Sequence, residues 1–249
     1  MDRRRLRRLH PLIRFQSVNA FILVRPNITM AQPLLLINFK TYEEGTGGRG
    51  LKLAKIIERV AGQTGANIAI AVQIAEIQRI ASEVGIRVYS QHMDGIQFGS
   101  NTGWILPETI KDAGAVGTVL NHAEHQMNPD ALRGAMERAK ELKLKTVACA
   151  NTPDYAKAVA KLSPNYIAVE PPELIGGTIS ISTAKPEVIT NSLKVVGKIP
   201  LLVGAGVKTK EDVRKGIELG ASGVFVASAI MKALNPEKAV KDLVAGLNV

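Results

Sequence analysis

The chain has 249 residues, 46% of them hydrophobic and 22% charged, with 22 glycines, a single cysteine and few aromatics. This composition excludes a disordered or fibrous chain, the unpaired Cys149 excludes a disulfide scaffold, and Val, Ile, Leu and Ala are left to build the core, as in a helix-covered parallel sheet. The net charge of +10 invites a nucleic-acid or membrane reading, but residues 1–29 hold seven arginines against Asp2 alone, a balance of +6, so the remaining 220 residues carry only +4.

Residues 1–29 show neither helical nor strand periodicity, and Arg14 interrupts the apolar run that a secretory signal needs. An Arg-rich, acid-poor makeup also suits an organellar leader or a basic arm that touches polyanions. The favoured reading makes 1–29 a basic extension, disordered or arising from an upstream start, with Met30 opening the folded body, residues 30–249. Nowhere do 18 apolar residues run together, so no transmembrane helix and a cytoplasmic location are expected. The body shows few aromatics and no basic stripe, which speaks against nucleic acid as its partner.

From residue 33 onward, short β-branched runs alternate with longer segments of helical spacing. The predicted strands are 34–38, 67–72, 87–91, 116–120, 146–149, 166–169, 200–203 and 223–226. The predicted helices are 49–61, 74–84, 107–113, 129–142, 153–162, 186–197, 210–219 and 236–246. Pro opens several of these helices, as at Asn128-Pro129-Asp130, and Gly follows others, as at Gly114, Gly197 and Gly220. Eight strand-helix repeats without a linker predict one α/β domain, a single (β/α)8 barrel. A doubly wound open sheet is the alternative, but Asn38-Phe39-Lys40-Thr41-Tyr42 is not the glycine-rich turn expected after its first strand.

A barrel of this kind carries its chemistry at the C-terminal ends of its strands. There the sequence places Asn38 and Lys40, then His92, then Asn121, His122 and Glu124, then Glu170 followed by Pro171-Pro172 and Gly176-Gly177. Gly204-Ala205-Gly206 and Ala227-Ser228 follow the last two strands, where small residues let backbone N–H groups approach a phosphate. Taken singly, Lys40 fits a solvated loop lysine, His122 a structural histidine and Glu170 a strand end. Their convergence with a phosphate cradle points to acid-base chemistry on a small phosphorylated metabolite. His92 reads as hydrogen-bonding support, Tyr42 and Trp104 as rim or interface packing, and Cys149 as a small buried residue. The four histidines lack ligand spacing, so no metal is expected.

The segments Ile37-Asn38-Phe39-Lys40-Thr41-Tyr42, Gln91-His92-Met93-Asp94, Leu120-Asn121-His122-Ala123-Glu124, Ala168-Val169-Glu170-Pro171-Pro172-Glu173-Leu174-Ile175-Gly176 and Gly204-Ala205-Gly206 occur in this order. Together with Lys185-Pro186-Glu187 and Leu219-Gly220, they make the body resemble the triosephosphate isomerase family in its short archaeal form. The resemblance implies a TIM barrel that interconverts dihydroxyacetone phosphate and D-glyceraldehyde 3-phosphate without cofactor or metal, in glycolysis and gluconeogenesis. It implies Glu170 as the base, His122 as the electrophile, Lys40 as the cation beside the enediolate and Asn38 as a holder of substrate oxygen. It implies a lid from Glu170 to Thr178, and a phosphate site at Ile175, Gly176, Gly206, Ala227 and Ser228. It also implies a homo-oligomer, a tetramer or else a dimer, with the loop after the third strand reaching a neighbour. Three residues depart from the family pattern. Ala123 removes a hydroxyl from the expected site lining, Lys208 adds a cation after the seventh strand, and Trp104 puts a bulky ring in the third loop.

Overall fold

The computed structural model describes residues 32–177 and 179–248, so the readings made for residues 1–29 and for Thr178 lie outside it. Eight strands, β1 (Leu34–Asn38), β2 (Ile68–Val72), β3 (Arg87–Ser90), β4 (Gly117–Leu120), β5 (Lys145–Ala150), β6 (Tyr166–Val169), β7 (Leu201–Val203) and β8 (Gly223–Val226), pair in parallel in chain order. The sheet closes where β8 pairs with β1, Leu34 opposite Gly223 and Ile37 opposite Val226. Around it run α1 (Gly47–Thr64), α2 (Ile74–Ala81), α3 (Pro107–Asp112), α4 (Pro129–Glu141), α5 (Pro153–Ala160), α6 (Ile181–Ala184), α7 (Pro186–Val195), α8 (Lys210–Glu218), α9 (Ser228–Met231) and α10 (Pro236–Ala245).

Alternation along each strand divides two apolar regions. Leu34, Leu36, Ala69, Ala71, Tyr89, Val119, Val147, Cys149, Ala168, Leu202 and Phe225 fill the barrel interior. Leu35, Ile37, Ile68, Ile70, Val72 and their counterparts pack outward against the helices. Both faces are therefore dry, which is why β1 reads as an unbroken apolar run with all five residues buried.

Each predicted strand and helix forms, with small shifts at the ends. Residues 47–48 join α1 although two glycines disfavour a helical start; the Glu76 carboxylate accepts the Gly47 N–H at 2.9 Å and so satisfies one free donor of the first turn. At the other end Gly65 closes α1 in the left-handed conformation, φ 67°. The four-residue helices α6 and α9 and the 3₁₀ turns Glu43–Gly45 and Pro172–Leu174 were not anticipated, because segments that short display no period.

Barrel closure makes a specific demand at Gly223. Its φ is 153°, and a Cβ there would lie 2.1 Å from the Leu34 carbonyl oxygen across the β1–β8 seam. Gly223→Ala is expected to lower unfolding free energy by about 2–4 kcal/mol, read as a lower denaturant midpoint. An unchanged midpoint would show that the seam tolerates side-chain bulk.

Candidate active site

The C-terminal ends of the strands form one mouth, and the cleft in it is lined by Asn38, Lys40, His122, Glu170, Ile175, Gly176, Gly206, Ala227 and Ser228. The residues named from sequence for catalysis and substrate binding thus border the same space, while His92, Asn121, Ala123 and Glu124 lie outside its lining. Tyr42 lines it too, its ring 5.4 Å from the Lys232 ammonium.

Lys40 follows β1 in the left-handed region, φ 46°, a conformation uncommon for a side-chain-bearing residue. Two side chains hold it there. The Lys40 N–H donates to Asn38 Oδ1 at 2.9 Å, and Gln91 Nε2 donates to the Lys40 carbonyl at 3.0 Å and to the Ala71 carbonyl at 3.3 Å. The Lys40 ammonium then donates to Glu124 Oε1 at 2.7 Å, which aims the cation along the cleft wall.

Asn121, also left-handed with φ 60°, turns the chain after β4. Its Nδ2 donates to the Cys149 carbonyl at 3.0 Å and its Oδ1 accepts the Met127 N–H at 2.9 Å, so the loop is pinned at both ends. The next residue, His122, accepts the Glu124 N–H on Nδ1 at 3.1 Å. A backbone amide can only donate, so Nδ1 is unprotonated and the ring is a neutral imidazole with its proton on Nε2. That Nε2 stands 3.6 Å from Glu170 Oε2.

Glu170 follows β6 directly and is buried, with Oε2 lacking any hydrogen-bond partner among the described residues. Its carboxyl is pushed above the ordinary range chiefly by burial, while His122, the Cys149 thiol and Lys40 pull it down and Glu124 adds a smaller upward push. A partly compensated carboxylate of this kind is basic without being neutralised by an ion pair. Gly204 is what makes room for it: a Cβ at that position would lie 2.5 Å from the Glu170 side chain. The need for a small residue after β7 is therefore set first by the carboxylate. Gly206, at φ 71°, is required for a different reason, since a Cβ would strike the Ile179 carbonyl at 2.1 Å where the chain returns from the Pro171–Gly177 loop. Ser228 opens α9, so its N–H has no acceptor within the helix.

One expectation is corrected, that for Ala123, and two are sharpened, those for Lys208 and Cys149. Ala123 does not line this cleft; with Asn121, Gln126, Asn151, Tyr155 and Cys149 it borders a second cavity of about 210 Å³ on the far side of Glu170. Lys208 is exposed and outside the cleft lining, its N–H donating to the Asp212 carboxylate at 3.0 Å within the cap of α8. Cys149 is more than a space-filler: buried beside Glu170, its thiol is pushed well up by burial and by that carboxylate, so it stays protonated and can donate. Gln91, Gly204 and Cys149 act on the site through neighbours far away in sequence, and no local pattern marks them. His92 is a supporting residue, its Nε2 3.3 Å from Asp94 Oδ1 and its ring 4.4 Å from that of His125.

The barrel and its mouth define an acid-base enzyme whose cleft joins a buried carboxylate, a neutral imidazole and a lysine to small-residue loops suited to phosphate. The family model described as Triosephosphate isomerase matches residues 33–244. The triosephosphate isomerase of Methanocaldococcus jannaschii is 46% identical over 215 residues, covering 85% of this chain and 98% of its own. That of Methanosarcina acetivorans is 43% identical over 219 residues, covering 86% and 99%. A crystal structure of triosephosphate isomerase from Bartonella henselae superposes with a TM-score of 0.68 at 20% identity, covering 85% of this chain and 98% of that one, and speaks to the fold. The chain belongs to the triosephosphate isomerase family. It is an isomerase that interconverts dihydroxyacetone phosphate and D-glyceraldehyde 3-phosphate, a glycolytic step.

Because burial raises the Glu170 carboxyl, the folded chain holds that proton more tightly than the unfolded chain does. The resulting stability is complete below the titration range of an unfolded carboxylate and is lost as pH rises through the folded value. Glu170→Gln removes the buried charge, so its melting temperature should exceed the wild type's by ~2–4 °C at pH 8, with the gain vanishing toward acid pH. A difference from wild type of the same size at both pH values would contradict the cost assigned to burial.

Proposed function

We propose that Glu170 is the base and His122 the electrophile of the isomerisation, with Lys40 and Asn38 binding and polarising the substrate. The observation that carries this assignment is the Glu124 N–H donated to His122 Nδ1 at 3.1 Å, which leaves a neutral Nε2–H donor facing the same space as the buried Glu170 oxygen, itself without a hydrogen-bond partner among the described residues. Glu170 takes a proton from the hydroxymethyl carbon of dihydroxyacetone phosphate, and the C–H electron pair becomes the carbon-carbon double bond of an enediolate. The carbonyl oxygen receives the displaced charge and is stabilised by the His122 Nε2–H and the Lys40 ammonium. His122 relays a proton between the two oxygens, and Glu170 returns its proton to the neighbouring carbon to give the aldehyde. Protons and electrons balance without an external acceptor.

The phosphate is held by peptide groups at Ile175, Gly176, Gly206, Ala227 and Ser228, supported by their common place on the cleft lining. The Pro171–Gly177 segment is the lid: Pro171 and Pro172 stiffen one end and Gly176, at φ 72°, frees the other. Its closure keeps water from the enediolate.

Glu170→Asp withdraws the carboxylate by one methylene, and His122→Gln keeps a neutral N–H donor but removes the imidazole that relays protons between the oxygens. Each is expected to lower kcat by roughly 10²–10⁴-fold with the fold retained, in a coupled assay from glyceraldehyde 3-phosphate. The acid limb of the kcat/KM profile should lie above the range of a solvent-exposed carboxylate, because burial raises Glu170. Near-wild-type turnover in folded Glu170→Asp protein would remove Glu170 from the role of base.

The enzyme unit is residues 30–249, with 1–29 a basic extension. The curated relatives support this: the first two are covered over 98% and 99% of their length by 85% and 86% of this chain. Deleting 1–29 should leave kcat/KM unchanged, and a large loss would place those residues in the enzyme unit.

The protein is a cytoplasmic homo-oligomer, a tetramer or else a dimer. Supporting the assembly, the loop between β3 and α3 is clasped at its base, where Asp94 Oδ2 accepts the Ile105 N–H at 2.6 Å and the Asp94 N–H donates to the Ile105 carbonyl at 3.0 Å. Beyond that clasp the loop exposes Phe98 to 76% and Trp104 to 59%, surface that a second copy would cover. Supporting the location, no helix among the described residues is long and apolar enough to cross a membrane; recovery in the membrane pellet on fractionation would refute it. Replacing Phe98 and Trp104 with Ser should reduce the mass measured by sedimentation, and an unchanged mass would exclude this loop as the contact.

A further inference from the structure

At the opposite end of the barrel from the catalytic mouth, a hollow of about 550 Å³ lies where the α4–β5 and α5–β6 turns meet. Arg133, Lys140, Lys143, Lys145 and Lys161 surround it, against the single acid Glu137. Its charge balance of +4 equals the excess of the whole 30–249 body, so outside it the surface is neutral on balance. Arg133 is engaged by Asp130 at 2.8 Å, whereas none of the four lysines forms an ion pair among the described residues. Lys140 and Lys143 close α4 and Lys161 closes α5, places where helix carbonyls favour a cation. That effect is local to each terminus, and it does not account for Lys145, which opens β5, or for the gathering of all four around one concavity.

We propose that this hollow is a binding site for small polyphosphate anions, compounds carrying two or three linked phosphates. Several lysines around a basin supply compact positive charge rather than the planar fork with which arginine reads one phosphate. The apolar floor of Met136, Leu144 and Leu162 holds no aromatic ring on which a nucleobase would stack, so charge density is the selected property. The volume is that of a small-molecule site. A two-fold axis through the hollow would set its +4 charge against itself, which disfavours a second copy centred there. The site is also separate from the chemistry: Lys145 and Cys149 lie at opposite ends of β5, about 13 Å apart at strand rise.

The test is calorimetric titration of the full chain with inorganic tripolyphosphate at low salt, comparing wild type with Lys140→Glu/Lys145→Glu and with the milder Lys143→Gln/Lys161→Gln. The basic N-terminal segment and the catalytic cleft are the same in all three proteins, so the difference between isotherms reports the hollow. The charge-reversed protein should lose one binding site, or bind there at least about tenfold more weakly. The neutralised protein should be intermediate, and kcat/KM should match wild type in both. Wild-type isotherms in the folded Lys143→Gln/Lys161→Gln and Lys140→Glu/Lys145→Glu proteins would overturn the proposal by assigning all binding to the N-terminal segment or the cleft.

Discussion

The pairing of β8 with β1 is the constraint on which the reactive mouth depends. Without it the eight strands form an open sheet, and Asn38 and Lys40 after β1 lie at one edge while Ala227 and Ser228 after β8 lie at the other. Closure makes them neighbours and sets His122 and Glu170 between them on the same rim. The seam is built from backbone contacts so close that Gly223 has no room for a side chain. Left-handed Lys40 and Asn121 stand just past two of the closed strands, Lys40 held by the Asn38 and Gln91 side chains and Asn121 by its own side chain bonded to the backbone at Cys149 and Met127. The barrel thus stabilises conformations that the isolated loops would rarely adopt.

Within that frame the chemistry rests on how incompletely one carboxylate is satisfied. A buried glutamate with a close ion pair would be a weak base, and one with no neighbours would be held neutral by desolvation. Glu170 lies between these limits, with His122 out of hydrogen-bond range at 3.6 Å, Lys40 committed to Glu124 and the Cys149 thiol behind it. The amide of Glu124 and the carboxylate of the same residue serve two different ends, fixing the His122 tautomer and the Lys40 ammonium. One turn after β4 therefore orders both polar neighbours of Glu170.

Much of this was legible in the sequence, for identifiable reasons. Strands buried on both faces must be short apolar runs, and amphipathic helices with Pro at their starts announce themselves by period and cap, so β1, β6 and β8 were placed to the residue. Site residues immediately following strands inherit their position from the fold class, which is why Lys40, His122 and Glu170 could be named together. What could not be read were contacts across the chain. Gln91 supports Lys40 over a separation of 51 residues, Gly204 is small because Glu170 lies upon it, and Ala123 faces the second cavity bordered by Glu170. The four lysines of the opposite hollow look, in the sequence, like ordinary cations at helix ends and a strand start.

By itself the sequence determined the order of strands and helices, the aliphatic character of the core and the residue types available at each strand end, because these follow from local periodicity and side-chain chemistry. Only the tertiary structure decided the imidazole tautomer, the degree to which Glu170 is desolvated, the role of each glycine and the concentration of positive charge at the far mouth. Apart from the tautomer, which a contact between His122 and Glu124 sets within one turn, those properties depend on distances between residues tens to hundreds of positions apart, and a distance of that kind exists only once the barrel has closed.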